Sequence, residues 1–125
     1  MYTILCPFYK EANVIEGFIN SISNIDWPKD KLEVLLILEE DDLETQKRVK
    51  DLGIINKSSI SHVDKNDMSI FKVIIVPHSM PKTKPKACNY ALNFANGNFV
   101  VIYDAEDRPD YDQLKKAYVG FFSLW

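Results

Sequence analysis

An α/β domain with a doubly wound, mainly parallel sheet and flanking helices is predicted by three observations. Four short apolar runs punctuate the chain, helical patterns alternate with them, and charge gathers just after the runs. The runs, Tyr2–Cys6, Val34–Leu38, Phe71–Val76 and Phe99–Tyr103, are rich in Ile, Val, Leu and Phe. They do not alternate apolar with polar, which suits strands covered on both faces. The order β-α-β-α-β-α-β-α implies right-handed crossovers and a parallel, Rossmann-like sheet. Ligands of such sheets bind outside the C-terminal ends of the strands.

The first strand is followed by Val14, Ile15, Phe18, Ile22 and Ile25 at helical spacing, predicting a helix from Glu11 to about Asn24 with one face on the sheet. After the second strand, Leu43–Leu52 reads as a polar helix closed by Gly53. Residues 53–69 mix Ser, Asn, Asp and Lys and read as a loop, with room for one helical turn. After the third strand, Pro85 can open a helix in its first turn, where the missing N–H costs nothing. Ala87, Cys88, Ala91, Leu92 and Ala95 are its expected inner face, and Asn96-Gly97 its end. A last helix is expected after Asp110 as N-cap with Gln113 three residues on, its stripe formed by Tyr111, Leu114, Tyr118 and Phe121.

At 125 residues the chain is one domain by length, enough to bury roughly two-thirds of its unfolded surface. A nucleic-acid module is excluded: the net charge is -3 and the pI about 5.3, with no basic excess. Cys6 and Cys88 lie in apolar stretches and read as reduced core thiols of a cytoplasmic protein. His62 and His78 stand at no zinc-ligand spacing from them. No apolar run approaches the roughly 18 residues of a membrane helix, and Met1-Tyr2-Thr3-Ile4 does not begin a signal peptide.

Three of the four strand ends carry charge. Asp104-Ala105-Glu106 follows the fourth run; in extended backbone residues i and i+2 face the same way, so both carboxylates can share one cation. Hard oxygen ligands of this kind suit Mg²⁺ or Mn²⁺. The same triplet also fits a turn cap at Asp104 beside a solvated cluster of Glu106, Asp107 and Arg108. Lys84 and Lys86 enter the third helix, whose N-terminus favours anions, although a solvated lysine run reads equally well. Glu39 can accept from a base or ribose, or cap the following helix. Tyr9 can stack on a base or cover the sheet edge.

Four segments in order resemble the donor half of family-2 glycosyltransferases with the GT-A fold. Ile4-Leu5-Cys6-Pro7-Phe8-Tyr9-Lys10-Glu11 is similar to the family's first strand and Pro-x-Tyr-x-Glu loop. Leu38-Glu39-Glu40-Asp41-Asp42 lies where the family carries an Asp-Asp pair. Lys84-Pro85-Lys86-Ala87-Cys88-Asn89-Tyr90-Ala91-Leu92 resembles its Lys-x-x-Ala-x-Asn-x-Ala-Leu segment. Val101-Ile102-Tyr103-Asp104-Ala105-Glu106-Asp107-Arg108-Pro109 resembles the DxD strand end, most closely the version of membrane-bound polysaccharide synthase-like members. The resemblance implies a nucleotide-sugar pocket lined by Pro7, Tyr9, Glu11, Glu39, Lys84, Lys86 and Asp104, a UDP-linked donor, and Mg²⁺ or Mn²⁺ on Asp104 and Glu106. Glu39 and Glu106 stand where the family more often has Asp.

It implies inverting glycosyl transfer in the cytoplasm, or at the cytoplasmic face of a membrane within a longer parent. Membrane association would then come only from flanking segments. The family's acceptor site, catalytic base and Gln-x-x-Arg-Trp segment have no counterpart before Trp125. The expectation is therefore residues 1–125 as the nucleotide-sugar-binding portion of a transferase domain truncated at its C-terminus, with no catalytic residue assigned. The alternative is a non-catalytic nucleotide-binding or interaction module left from such a transferase. A phosphoacceptor receiver domain is excluded by Cys6-Pro7-Phe8 and Pro77-His78-Ser79 at the strand ends where it needs acids. A dinucleotide-binding enzyme is excluded because glycines 17, 53, 97 and 120 form no G-x-G-x-x-G.

Overall fold

Tyr2–Phe8 forms β1, an interior strand of a four-stranded sheet ordered β3-β2-β1-β4 in the computed structural model, which describes residues 1–53, 70–80, 83–106 and Leu114. The other strands are β2 (Leu32–Glu39), β3 (Phe71–Val76) and β4 (Phe99–Ile102), and every pairing is parallel. Helices α1 (Ile15–Ser23), α2 (Leu43–Asp51) and α3 (Lys84–Ala91) fill the connections, with a 3₁₀ turn at Lys29–Lys31. The predicted doubly wound α/β class is the one observed.

The register divides the sheet into two faces. Ile4, Cys6, Phe8, Val34, Leu36 and Leu38 pack with Phe18 and Ile22 of α1 and Val49 of α2. Leu5, Leu35, Ile37 and Val76 pack beneath Ala87, Cys88 and Ala91 of α3. All residues of β1 and β2 are buried, so the unbroken apolar runs there do mark strands covered on both sides. β4 differs from that expectation: its residues alternate, and Val100 and Ile102 are 43% and 58% exposed, because β4 lies at an edge and α3 lies over the other strands.

Several boundaries move from the sequence expectation: β1 runs on to Phe8 and β2 spans Leu32–Glu39, both longer than read. α1 starts at Ile15, four residues late, because Glu11–Val14 forms a turn closed by Val14 N–H donating to the Glu11 carbonyl at 3.1 Å. α3 ends at Ala91 and tightens into a 3₁₀ turn, Leu92–Phe94. With three residues per turn the buried row is lost, so Leu92 is 48% exposed rather than part of the inner face. β4 stops at Ile102, though Tyr103 N–H still donates to the Leu5 carbonyl at 3.0 Å. Gly53 closes α2 as expected, at a φ of 86° that only glycine adopts cheaply. The loop at 54–69 and the helix expected after Asp110 lie outside the described residues. Leu114 itself is buried, and its carbonyl accepts from the Tyr2 hydroxyl at 3.4 Å. Cys6 and Cys88 are buried and unlinked. Among the described residues no helix is long and apolar enough to cross a membrane.

The far end of α3 is held by a buried polar cluster at the N-terminal edge of the sheet. Glu33 accepts from Thr3 Oγ1 at 2.7 Å, Asn96 N at 2.6 Å, Asn96 Nδ2 at 3.1 Å and Lys72 Nζ at 2.9 Å. Gly97 N–H donates to Thr3 Oγ1 at 2.9 Å, and Asn98 N–H to the Met1 carbonyl at 2.9 Å. Backbone meets backbone here. A Cβ on Gly97 would lie 2.5 Å from Thr3 Oγ1, 2.7 Å from Thr3 N and 2.9 Å from Met1 O. Gly97→Ala is therefore expected to cost about 2 kcal/mol by overpacking, read as a lowered urea midpoint at unchanged slope.

Candidate functional site

The C-terminal ends of the strands gather what the sequence placed there. β1 runs out into Tyr9-Lys10-Glu11, and Lys10 takes a φ of 55°, the left-handed region that a side chain occupies at a cost. Asp42 holds this turn, its buried carboxylate accepting from Lys10 N–H at 2.5 Å. The same carboxylate caps α2 by accepting from Thr45 N–H at 3.4 Å. The cap is thus Asp42 and not Glu39. Inside the turn, Tyr9 N–H donates to Glu11 Oε1 at 3.1 Å, and the Lys10 ammonium lies 5.2 Å from the Tyr9 ring centroid.

α3 begins at Lys84, with Thr83 as its cap (Oγ1 accepts from Lys86 N–H at 3.3 Å). That start delivers two lysines to the carboxylates of three different strand ends. Lys84 Nζ stands 2.9 Å from Glu11 Oε1 and 2.5 Å from Asp104 Oδ1, tying the ends of β1 and β4 to the helix. Lys86 Nζ is 3.2 Å from Glu39 Oε1 at the end of β2, and also donates to Ser79 O and Oγ at 3.2 and 3.4 Å. Glu39 is buried; Lys84 and Asp104 are about half exposed. These lysines are not a loose solvated run.

The electrostatics follow from those distances. The hydrogen bond from Lys84, set against slight burial and helped by Ala105 N–H, holds the Asp104 carboxyl below its usual range. Burial would lower Lys84, but its bonds to Asp104 and Glu11 outweigh that and raise it. A groove of about 410 Å³ opens beside this pair, lined by Pro7, Lys84, Cys88, Asn89, Tyr103 and Asp104. That volume suits a small-molecule site. Burial pushes the Cys88 thiol up, so it faces the groove as a neutral group.

Of the residues singled out in the sequence, Pro7, Lys84 and Asp104 line this groove, with Glu11 bonded to Lys84 and Tyr9 in the adjoining turn. Glu39 and Lys86 form a second pair. Glu106 is exposed in a turn that begins at Ala105, so the pleat argument that put it on the same side as Asp104 does not apply. Asp42, Cys88, Asn89 and Tyr103 were missed as site residues. Asp42 had a readable signal, an Asp directly before Leu43 with Thr45 three positions on.

Among the described residues no three His, Cys, Asp or Glu side chains are grouped to enclose a metal. The half-exposed Asp104 carboxylate still fits Mg²⁺ or Mn²⁺, which bind through one or two carboxylates and otherwise keep water and phosphate oxygens.

Residues 3–120 match the model of the family "Glycosyl transferase family 2". The chain belongs to that family. It is 30% identical over 108 residues to "Probable glycosyltransferase YdaM" of Bacillus subtilis strain 168, a match covering 86% of this chain and 23% of that protein. It is 28% identical over 116 residues to the poly(ribitol-phosphate) beta-N-acetylglucosaminyltransferase TarS of Staphylococcus aureus strain Mu50, covering 93% of this chain and 18% of that one. Among solved structures it is similar to the mannosyltransferase PcManGT of Pyrobaculum calidifontis in complex with GDP-Man and Mn²⁺, at TM-score 0.72 and 30% identity, covering 94% of this chain and 31% of that chain. S. aureus TarS 1-349 in complex with UDP-GlcNAc shares the fold at TM-score 0.72 and 24% identity, covering 98% and 31%. This glycosyltransferase chain thus spans less than a third of the length of these relatives. The sheet and helices are the Rossmann-like portion of the GT-A fold.

Proposed function

We propose that this family-2 glycosyltransferase chain binds a nucleotide-sugar donor across the C-terminal ends of β1, β2 and β4, the donor being UDP-linked. The observation that supports the reading is the convergence of Glu11, Lys84 and Asp104 beside the groove, a cation suited to a diphosphate and carboxylates suited to its counter-ion. Pro7 and Tyr9 border the base and ribose, Glu39 accepts from the base, and Lys84 and Lys86 face the phosphates. Asp104 and Glu106 would hold Mg²⁺ or Mn²⁺, and such an ion neutralises the leaving diphosphate. Support for the metal comes from PcManGT, whose structure is a complex with GDP-Man and Mn²⁺.

Inverting transfer also needs a base that deprotonates the acceptor hydroxyl. Glu11, Glu39 and Asp104 are already paired with lysines, so the base is proposed to come from the part of the transferase that this chain does not span. The proposed location is the cytoplasm or its membrane face, where such donors would be drawn from solution.

Calorimetric titration with UDP and GDP, each with and without Mn²⁺, tests the reading. Saturable binding that strengthens with metal, and is tighter for UDP, is expected. Absence of binding by both nucleotides with metal present would overturn donor binding, and tighter binding of GDP would overturn the choice of base.

A further inference from the structure

We propose that Lys84 is an internal counter-cation that holds the metal position closed until a nucleotide diphosphate draws it away, so that metal and nucleotide bind cooperatively. The inference rests on the donor-site reading above and adds to it a coupling between the two ligands.

The geometry is specific. Lys84 Nζ sits 2.5 Å from Asp104 Oδ1, on the carboxylate assigned to the metal, and 2.9 Å from Glu11 Oε1. Asp104 Oδ1 also accepts from Ala105 N–H at 2.9 Å, so this oxygen already has two donors. A divalent ion arriving on Asp104 would meet the ammonium at contact distance, and like charges that close repel strongly in a half-buried site. The ammonium must therefore leave Asp104 for the metal to enter. Moving it toward solvent leaves the partly buried Glu11 carboxylate without this partner.

A diphosphate changes that balance. Lys84 begins α3, so the positive end of that helix lies at the same edge, while Pro85 has no N–H and the amides of Lys86 and Ala87 are taken by Thr83. Phosphate oxygens placed there give the ammonium a new anion within reach of its flexible four-carbon stem. Nucleotide binding thus withdraws Lys84 from Asp104, and the vacated carboxylate takes the metal, which in turn binds the diphosphate. By linkage the effect is reciprocal: each ligand raises affinity for the other by the same factor. Lys50, exposed on α2 over the opposite face of the sheet, supplies a control of equal charge.

The test measures Mn²⁺ affinity by the loss of the free-ion EPR signal, first with Mn²⁺ alone and then with saturating UDP. Wild type is expected to bind Mn²⁺ weakly alone and much better with UDP. Lys84→Met keeps the stem and removes the charge; it is expected to bind Mn²⁺ alone about tenfold more tightly, with the UDP-induced gain correspondingly reduced, a size typical of couplings between sites. Lys50→Met is expected to leave the Mn²⁺ affinity within about twofold, since its exposed charge lies on the other side of the sheet and is screened at moderate salt. Circular-dichroism melts check that both variants fold, and Lys84→Gln replaces Lys84→Met if the latter does not.

If Lys84→Met gains no Mn²⁺ affinity, or Lys50→Met gains as much, the proposal is overturned. If Lys84→Met gains affinity for Mn²⁺ but neither UDP nor GDP binds any form, the ammonium does block the cation site and the donor reading is what fails.

Discussion

Glu33→Ala is expected to unfold the domain more readily than any other single change at the sheet, costing about 3–5 kcal/mol, the range for breaking a buried ion pair by removing one partner. The reason is the number of groups it would strand. Glu33 accepts from Thr3, Lys72 and both the backbone and side chain of Asn96, and is buried itself. Domains of this size are stable by about 5–15 kcal/mol, so the loss is a large share of the total. Burial alone would raise the Glu33 carboxyl, but the Asn96 N–H, Lys72 and the other donors outweigh it and lower it from 4.5 to about 2. A folded-state value below the unfolded one means stability is fully present above pH 4.5 and is lost as pH falls toward 2. The size is on the order of 3 kcal/mol. Urea midpoints across that window should fall for wild type and fall less for Glu33→Gln, which keeps the shape without the titration. Parallel pH profiles for the two proteins would contradict the assignment, whatever the other carboxylates contribute.

Asp104→Asn should abolish the Mn²⁺-dependent part of nucleotide binding while leaving the fold intact. Asp104 is half exposed, and its partner Lys84 keeps Glu11, so little stability rests on it. Nucleotide affinity in Mn²⁺ is expected to drop more than tenfold, about 1.4 kcal/mol or greater, while affinity without metal changes little. Glu106→Gln should fall in the same direction. If instead both residues belong to a solvated surface cluster, neither change will move the metal dependence, and calorimetry of the two variants decides.

The sheet was legible because unbroken runs such as Val34–Leu38 have one cheap explanation, burial on both faces. The edge position of β4 was not legible, since Phe99–Tyr103 looks as apolar as the interior runs and only topology exposes Val100 and Ile102. Pro85 and the small residues Ala87, Cys88 and Ala91 announced α3, but its tightening into a 3₁₀ turn depends on where Asn96 is pinned by Glu33, a contact 63 residues distant in sequence. At the site, charge type and order were readable and pairing was not. Nothing local says that Lys84 joins Glu11 and Asp104 while Lys86 takes Glu39; the parallel register and the entry point of α3 make that choice. Glu106 shows the limit most clearly, because an i, i+2 argument fails once the strand stops at Ile102 and the chain turns at Ala105.

The interior position of β1 has a consequence in time. Its neighbour on one side, β2, arrives after about thirty residues, but its neighbour on the other, β4, is closed by contacts such as Gly97 to Thr3, 94 residues apart. Pairings of such separation form slowly. A chain emerging from the ribosome can therefore assemble β1, α1 and β2 early, yet leaves the β4 side of its first strand unzipped until Asn98 reaches Met1. The buried Glu33 cluster is assembled at that same late step, so refolding of Glu33 and Gly97 variants should be governed by the last strand to arrive.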